Sequence, residues 1–477
     1  MPSGARPHAD LRLSEPAGRW VLLATVLGSG LALLDATVVN VALGRIGADL
    51  DADLGGLQWT LNGYTLALAA LILLGGSLSD RLGRRRIFVI GTAWFALASA
   101  LCALAPSIEV LVAARALQGV GGALLTPGSL AILAASFAPE ERSRAIGAWS
   151  GLGGVAAAVG PFLGGWLIDL WSWRLVFLIN LPVAAVVIGV SLRHVPESRD
   201  PGASGSLDVS GTVLGALALG GLTYASIAAG GQGWTPLVTG CAVAGGLAVV
   251  LFVVHLRRAV DPLVPPALFG SRPFTAANLV TFCVYAALGA MFFLLVLKLQ
   301  VVAGFSPLLA GAALLPLTVL MLLFSSASVA LADRIGPRVQ LVLGPLLAAA
   351  GLLATLRIDG TSSYWVDVIP ATALFGLGMT TLVAPLTSAV LAAAPVQHAG
   401  VASGVNNAVA RAASLLAVAV IPAAAGLGGD DYRSVVDFAA GYRSAMLLCA
   451  GLLVLGSLMA IGVGPAQPRS STSNRSS

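Results

Sequence analysis

Of the 477 residues, 57% are hydrophobic and only 10% charged, against about 25% charged in a typical soluble domain. With a mean hydropathy of +0.93, this composition excludes a water-soluble protein, and with it a nucleic-acid-binding domain built on clustered Lys and Arg. The net charge of +5 comes from 25 arginines and one lysine, and its placement along the chain matters more than its sum.

The first nineteen residues form a polar tail with Arg6, Asp10, Arg12, Glu15 and Arg19, and they lack the apolar core of a cleaved signal peptide. Apolar runs then follow at 20–43, 57–78, 86–105, 108–133, 145–168, 175–192, 209–229, 234–255, 275–301, 308–330, 339–356, 364–390, 399–425 and 440–463. A span needs about 20 such residues, so the chain is expected to cross a membrane fourteen times. The spans are helices, because lipid offers no partner to open backbone groups. Short alternating segments, the mark of a barrel, are not seen. Residues 464–477 are serine-rich and expected to be a disordered tail. Cys102, Cys241, Cys283 and Cys449 lie inside apolar runs and read as small packing residues.

Counting Lys and Arg fixes the orientation. With the N-terminus inside, eighteen fall on the inner side, while Arg45, Arg174, Lys298, Arg357, Arg433 and Arg443 fall on the outer side. Both termini are therefore expected in the cytoplasm.

The octapeptide LSDRLGRR at 78–85 recurs as LADRIGPR at 331–338, with five identical positions and a separation of 253 residues. Eight spans lie between the copies, so both face the same side, as in parallel transporter repeats. A six-span half takes about 200 residues, and the excess matches the two runs at 209–229 and 234–255. The expected plan is a tail (1–19), a six-helix half (20–193), a linker with two inserted spans (194–271), a second six-helix half (272–463) and a tail (464–477). Gly83 and Gly336 permit a tight turn in each copy. Asp80, with Arg81, Arg84 and Arg85, and Asp333, with Arg334 and Arg338, can pair or cap a helix and so latch that side shut. Pro337 replaces an arginine and weakens the second latch.

Three charges lie well inside spans. Asp35 sits about 12 Å from the outer end of span 1, and Arg115 about 10 Å from the same side in span 4. A protonatable acid beside a fixed cation is a proton switch in principle; the alternative is a structural pair. Arg411, near mid-membrane in span 13, forms a polar patch with Asn406 and Asn407. It either faces the cavity, selecting an acceptor or an anion, or satisfies a broken helix. Span 5 carries Gly147, Gly151, Gly154, Gly160, Gly164 and Gly165, several of them four apart and so expected on one face, with Pro161 bending the helix. Asn40, Trp59, Tyr64, Gln118, Phe282, Tyr285 and Phe292 are candidate cavity walls beside the packing role that most membrane aromatics have.

The stretches LDATVVNVAL (34–43), LQWTLNGYTLALAA (57–70), GGSLSDRLGRRR (75–86), RALQGVGGALLTPGS (115–129), GLGGVAAAVGPFLGGWL (151–167) and WSWRLVFLINLPVA (171–184) together resemble the major facilitator superfamily, and within it the fourteen-span drug:proton antiporters. Lys298 in FFLLVLKLQ departs from that pattern, where an aromatic residue is more usual. The resemblance implies an all-α major facilitator fold with two six-helix halves plus two inserted spans. It also implies proton-coupled export of amphipathic drugs or antibiotics by alternating access, powered by the proton gradient with no cofactor. It supports the latch in the two loop motifs and assigns the antiporter motif to Gly151, Gly160, Pro161, Gly164 and Gly165, while proton coupling through Asp35 and Arg115 rests on their matched depth. The implied partners are small lipophilic substrates, protons and the bilayer; the oligomeric state is left open by the sequence, with a monomer expected. The competing readings are a proton-coupled importer of a small nutrient and, further off, a membrane enzyme or channel. His8, His194, His255 and His398 lack ligand spacing to Cys or Glu, no phosphate-binding Gly-rich Lys loop is present, and no metal site is expected.

Overall fold

A computed structural model describes residues 11–199, 208–259, 262, 264–394 and 399–463. Fourteen helices in it are long and apolar enough to cross a membrane. In chain order they are α1 Pro16–Asp49, α2 Leu54–Leu82, α3 Arg84–Ala103, α4 Ile108–Ser136, α5 Pro139–Leu170, α6 Leu175–His194, α7 Val209–Gln232, α8 Pro236–Arg258, α9 Arg272–Val301, α10 Pro307–Ala332, α11 Pro337–Arg357, α12 Tyr364–Ala392, α13 Val401–Ala424 and α14 Val435–Ala460. Several outrun their apolar segments. α1 has 34 residues, about 51 Å of helix against a hydrocarbon core of about 30 Å. It starts at Pro16, inside the expected polar tail, because proline at the first turn is preorganised for a helix and gives up no hydrogen bond there. The 464–477 tail lies outside the described residues.

One packing pattern occurs twice. α1 packs on α5 and α6, α4 packs on α2 and α3, and α3 also touches α6. Eight helices later, α9 packs on α13 and α14, α12 packs on α10 and α11, and α11 also touches α14. One apolar core runs through the second half and on into the far end of the first, and a second core lies within the first half around Tyr64, Phe88, Phe95 and Leu133. α9 is the most enclosed helix, buried over most of its length by Phe274, Val284, Phe293, Leu295 and their neighbours.

The arginines of both octapeptides, with Arg142, Arg144, Arg193, Arg257 and Arg258, lie at one end of the bundle, called here the basic end. The hydrogen bonds joining the two halves gather at the opposite, far end. There Gln58 Nε2 donates to the Val418 carbonyl at 2.6 Å and Gln300 Nε2 to the Val41 carbonyl at 3.0 Å. The Leu54 amide donates to the Gly429 carbonyl at 2.8 Å, and the Leu308 amide to Asp169 at 3.1 Å. Tyr432 Oη donates to the Ala52 carbonyl and Arg433 pairs with Asp51, both at 2.7 Å. Ordinary hydrogen bonds net about 1 kcal/mol each, so the set forms a clasp that can open as well as close.

α5 and α10 meet at this clasp and part below it. On α5, Gly147, Gly151, Gly154, Pro161 and Gly165 are spaced three, four or seven residues apart and form one stripe. A Cβ at Gly165 would lie 2.5 Å from Leu308 Cα, and a Cβ at Gly311 of α10 would collide with the Pro161 carbonyl. Toward the basic end a Cβ at Gly147, Gly151 or Gly154 would meet nothing within 4 Å. The halves therefore form a V, closed at the far end. Gly160 and Gly164 lie on a different face, against Thr37 and Val38 of α1. Several α5 glycines are expected to share a face; Gly147, Gly151, Gly154 and Gly165 lie on one and Gly160 and Gly164 on a second, because consecutive positions such as Gly164 and Gly165 sit about 100° apart on a helix.

The inserted α7–α8 pair covers the seam where α2 meets α13. Its base is tied by His255 Nε2, 2.7 Å from Asp208 Oδ1, and Asp208 also caps α7 through the Gly211 amide. Leu217 points outward, while Thr212 lines an apolar cavity of about 560 Å³ between the pair and the seam.

The V makes a direct test possible. Gly311→Val overpacks the closed contact, where such changes typically cost about 1–3 kcal/mol, and should lower the thermal unfolding midpoint of purified protein in detergent by several degrees. Gly151→Val, with the same change in helix propensity at an open position, should leave it within a degree. Equal shifts in both variants would contradict the parting of α5 and α10.

Candidate functional site

Asp35 of α1 and Arg115 of α4 lie together in the first half, and both are sealed from solvent. Arg115 Nη1 donates to Asp35 Oδ2 and, at 2.6 Å, to Gln118 Oε1. Arg115 Nε donates to the Thr60 carbonyl of α2 at 3.0 Å. Asp35 Oδ1 accepts from Gln118 Nε2 at 2.8 Å and from Asn180 Nδ2 of α6 at 3.1 Å. Ser99 of α3 accepts from Asn180 at 2.9 Å and donates to the Phe177 carbonyl at 2.9 Å. The guanidinium lies over the Tyr64 ring, 4.4 Å from its centre. Five helices thus contribute to one buried charge network. A buried ion pair stands only when its remaining donors and acceptors are met, and losing one partner costs about 3–5 kcal/mol.

Why the chain folds this way here is visible in the small residues. A Cβ at Gly119 would collide with the Tyr64 backbone, and one at Gly121 would lie 2.7 Å from the Phe95 amide. The glycines of 115–129 thus let α4 approach α2 and α3 closely enough for Arg115 to reach α1. Asn180, Ser99 and the Thr60 carbonyl are absent from the sequence-based assignment. Asn180 left a usable trace, as a lone amide in the apolar run 175–192.

At the basic end the first octapeptide is pinned by the start of the linker that follows its half. Gly83, at φ +117°, turns the chain between α2 and α3. Asp80 pairs with Arg84 at 2.8 Å. It does not cap α3; that role falls to Glu197, whose carboxylate accepts from the Arg85 and Arg86 amides at 3.1 Å each, where a helix N-terminus favours an anion. Arg85 also donates to the Val195 carbonyl at 3.2 Å, and the Arg84 amide to the Ser198 carbonyl at 2.9 Å. Glu197 was not singled out from sequence. Arg81 sits in the last turn of α2. In the second copy Gly336 makes the same kind of turn at φ +83°, and Arg334 and Arg338 are exposed. The Asp333 side chain lies outside the described residues.

The expected cavity walls scatter. Gln118 and Tyr64 belong to the buried network instead, because Arg115 engages both. Trp59 faces sideways: its ring lies 6.4 Å from Tyr224 of α7, beside a far-end cavity of about 240 Å³ shared with Asp53 and Gly428. It therefore belongs to the seam with the inserted pair. Asn40 is buried and bonds back to the Ala36 carbonyl of its own helix. On α9, Phe282 is exposed while Tyr285 and Phe292 are half-buried against the core. Asn406 ties α13 to α9, donating to Thr281 Oγ1 at 2.7 Å and Asn278 Oδ1 at 3.2 Å. Asn407 is exposed, and Arg411 is half-buried one turn above it. Lys298 is no loop charge; it is buried in the last turn of α9 with its ammonium 5.0 Å from the Tyr442 ring centre.

Comparison with known proteins adds the lineage. The model of the Major Facilitator Superfamily matches residues 25–418. The tetracenomycin C resistance and export protein of Streptomyces glaucescens is 38% identical over 84% of this chain and 74% of its own length. The methylenomycin A resistance protein of Bacillus subtilis is 35% identical over 92% and 94%. The puromycin resistance protein of Streptomyces alboniger is 36% identical over 94% and 91%. Among solved structures, a peptide transporter in complex with sulfate superposes with a TM-score of 0.69 at 16% identity, covering 96% of each chain. A bacterial homolog of the human lysosomal transporter Spinster, in an inward-facing and occupied conformation, gives 0.65 at 17% identity over 94% and 97%. At these identities the structures share the fold alone. Since the family model spans both halves and relatives align almost end to end, the chain belongs to the Major Facilitator Superfamily.

Proposed function

We propose that this protein exports amphipathic drugs or antibiotics across the cytoplasmic membrane in exchange for protons, by alternating access. The observation that carries the reading is a sealed carboxylate–guanidinium pair inside one half of a bundle clasped at one end and parted at the other. The relatives above are named for resistance or export, which favours export over nutrient import. A transporter of this family needs no covalent chemistry on its cargo, so the enzyme reading is set aside.

The arginine count puts the basic end in the cytoplasm, with both termini. The V then faces inward, and substrate loads from the inside. Outward opening requires the far-end clasp to part. α1 carries both Asp35 and the clasp acceptor Val41, six residues and about 9 Å apart. Parting the clasp therefore shifts α1 and loosens the donors around Asp35, which can take up a proton from outside and release it inside after return. A proton moving down about 100 mV supplies about 2.3 kcal/mol, enough for about a fifty-fold gradient of a neutral substrate.

Vesicles with an imposed pH gradient and a panel of lipophilic compounds test the reading. Wild type should accumulate compounds uphill against their gradient. Asp35→Asn keeps shape and removes the titratable group, so uphill accumulation should vanish while downhill exchange survives. Full accumulation by that variant would contradict the assignment. Arg115→Ala should lose uphill transport as well, and Arg115→Lys should recover only part, because charge survives without the fork geometry.

The loop gives an independent expectation. Glu197→Gln weakens the anion at the start of α3, and Asp80→Asn breaks the pair with Arg84. Both should cut transport severalfold with surface expression near wild type. Unchanged rates in both would reduce the octapeptide to a topology signal.

A further inference from the structure

Most charge within the bundle is matched. Asp35 and Arg115 hold each other, and Lys298 rests on Tyr442. Arg411 is different. It makes no hydrogen bond or ion pair among the described residues, and its Nε is shielded from solvent with no acceptor. It lies twelve residues, about 18 Å, into the helical segment that starts at Ala399, near mid-membrane.

Its surroundings define what it can receive. Ser403, Asn407 and Arg411 recur every four residues on α13, the first two exposed and the third half-buried. A polar stripe at this depth belongs against water and protein, not hydrocarbon, so it fronts the space between the halves. Asn406, one residue from the stripe, is engaged by Asn278 and Thr281, which fixes α13 against α9 and holds the arginine in place. On the adjoining face of α13, Ala408, Val409 and Ala412 line the 560 Å³ apolar cavity, with Leu73 and Phe252 opposite. A cation without a counter-charge thus stands at mid-membrane on the polar stripe, while that cavity lies on the neighbouring face of the same helix.

We propose that Arg411 receives the negatively charged group of the transported molecule, so that the cargo class is amphipathic organic anions: an aromatic or aliphatic body bearing a carboxylate or phenolate. This rests on the export reading and deepens it. The planar guanidinium fork matches a carboxylate with two parallel hydrogen bonds, and a low-dielectric setting strengthens them. The charge also enters the energetics. Exporting a monoanion while importing one proton moves two charges along the membrane potential, against one for a neutral cargo, so anion export is the more strongly voltage-driven.

The test uses the purified full chain with a matched pair of probes, pyrenebutyrate and its uncharged amide. Wild type should bind the carboxylate at least tenfold more tightly than the amide. Arg411→Gln should erase that preference by weakening carboxylate binding at least tenfold more than amide binding, and Arg411→Lys should restore part of it. In proteoliposomes, raising the membrane potential should accelerate carboxylate export more steeply than amide export. Equal wild-type affinity for the two probes, or an Arg411→Gln variant that keeps the preference or loses both probes alike, overturns the inference and leaves the export reading standing. Carboxylate binding that phosphatidylglycerol abolishes, with no transport, also overturns it, since the cation then serves a lipid headgroup. Wild-type vesicles that accumulate neither probe, nor any lipophilic cation, under a pH gradient would instead overturn the export reading itself.

Discussion

A carboxylate at bilayer depth must be neutralised or surrounded by donors, and the first half of this protein is organised around that demand. Asp35 has no solvent at all, yet both of its oxygens are met by three side chains from two other helices. Placing those donors fixes how α1, α4 and α6 approach one another. Ser99 and the Thr60 carbonyl draw in α3 and α2. The glycines of α4 follow from the same need, since a side chain at Gly119 or Gly121 would push away the helices that close the network. An ion pair so enclosed adds little to net stability compared with an apolar core, and its worth is better sought in having two states.

The far-end clasp and the basic-end loop divide the remaining work. The clasp is built of separate hydrogen bonds and one exposed ion pair between loops, each weak alone. The Arg433 guanidinium is held charged chiefly by its contact with the Tyr432 hydroxyl and then by Asp51. The loop at 78–86 is anchored by Glu197, at the start of the linker that follows its half. The halves meet most closely where α5 and α10 touch at Gly165 and Gly311.

Much of this was legible before the structure. Fourteen spans followed from apolar length, and the matched depths of Asp35 and Arg115 foreshadowed their contact, because depth along a helix is a matter of counting. The glycines at 83 and 336 were readable as turns, and both adopt positive φ. Lateral direction was not legible. Trp59, Tyr64 and Gln118 were assigned to the cavity, but which way a side chain points depends on neighbours remote in sequence, and the structure turns them to α7 and to Arg115. The clasp was equally hidden. Asp51, Tyr432 and Arg433 sit in short polar loops without periodicity, and only closure of the fold brings residues 380 positions apart into contact.

The central claim is that the sealed carboxylate of Asp35 exchanges a proton as the protein moves between its two open forms. Proton release from purified protein in weakly buffered detergent, followed with a pH indicator as a transported compound is added, reads this without any vesicle. At a pH low enough for Asp35 to hold its proton before binding, the account predicts release of up to one proton per molecule bound in wild type and none in Asp35→Asn at equal saturation. Undiminished release from the variant would contradict it.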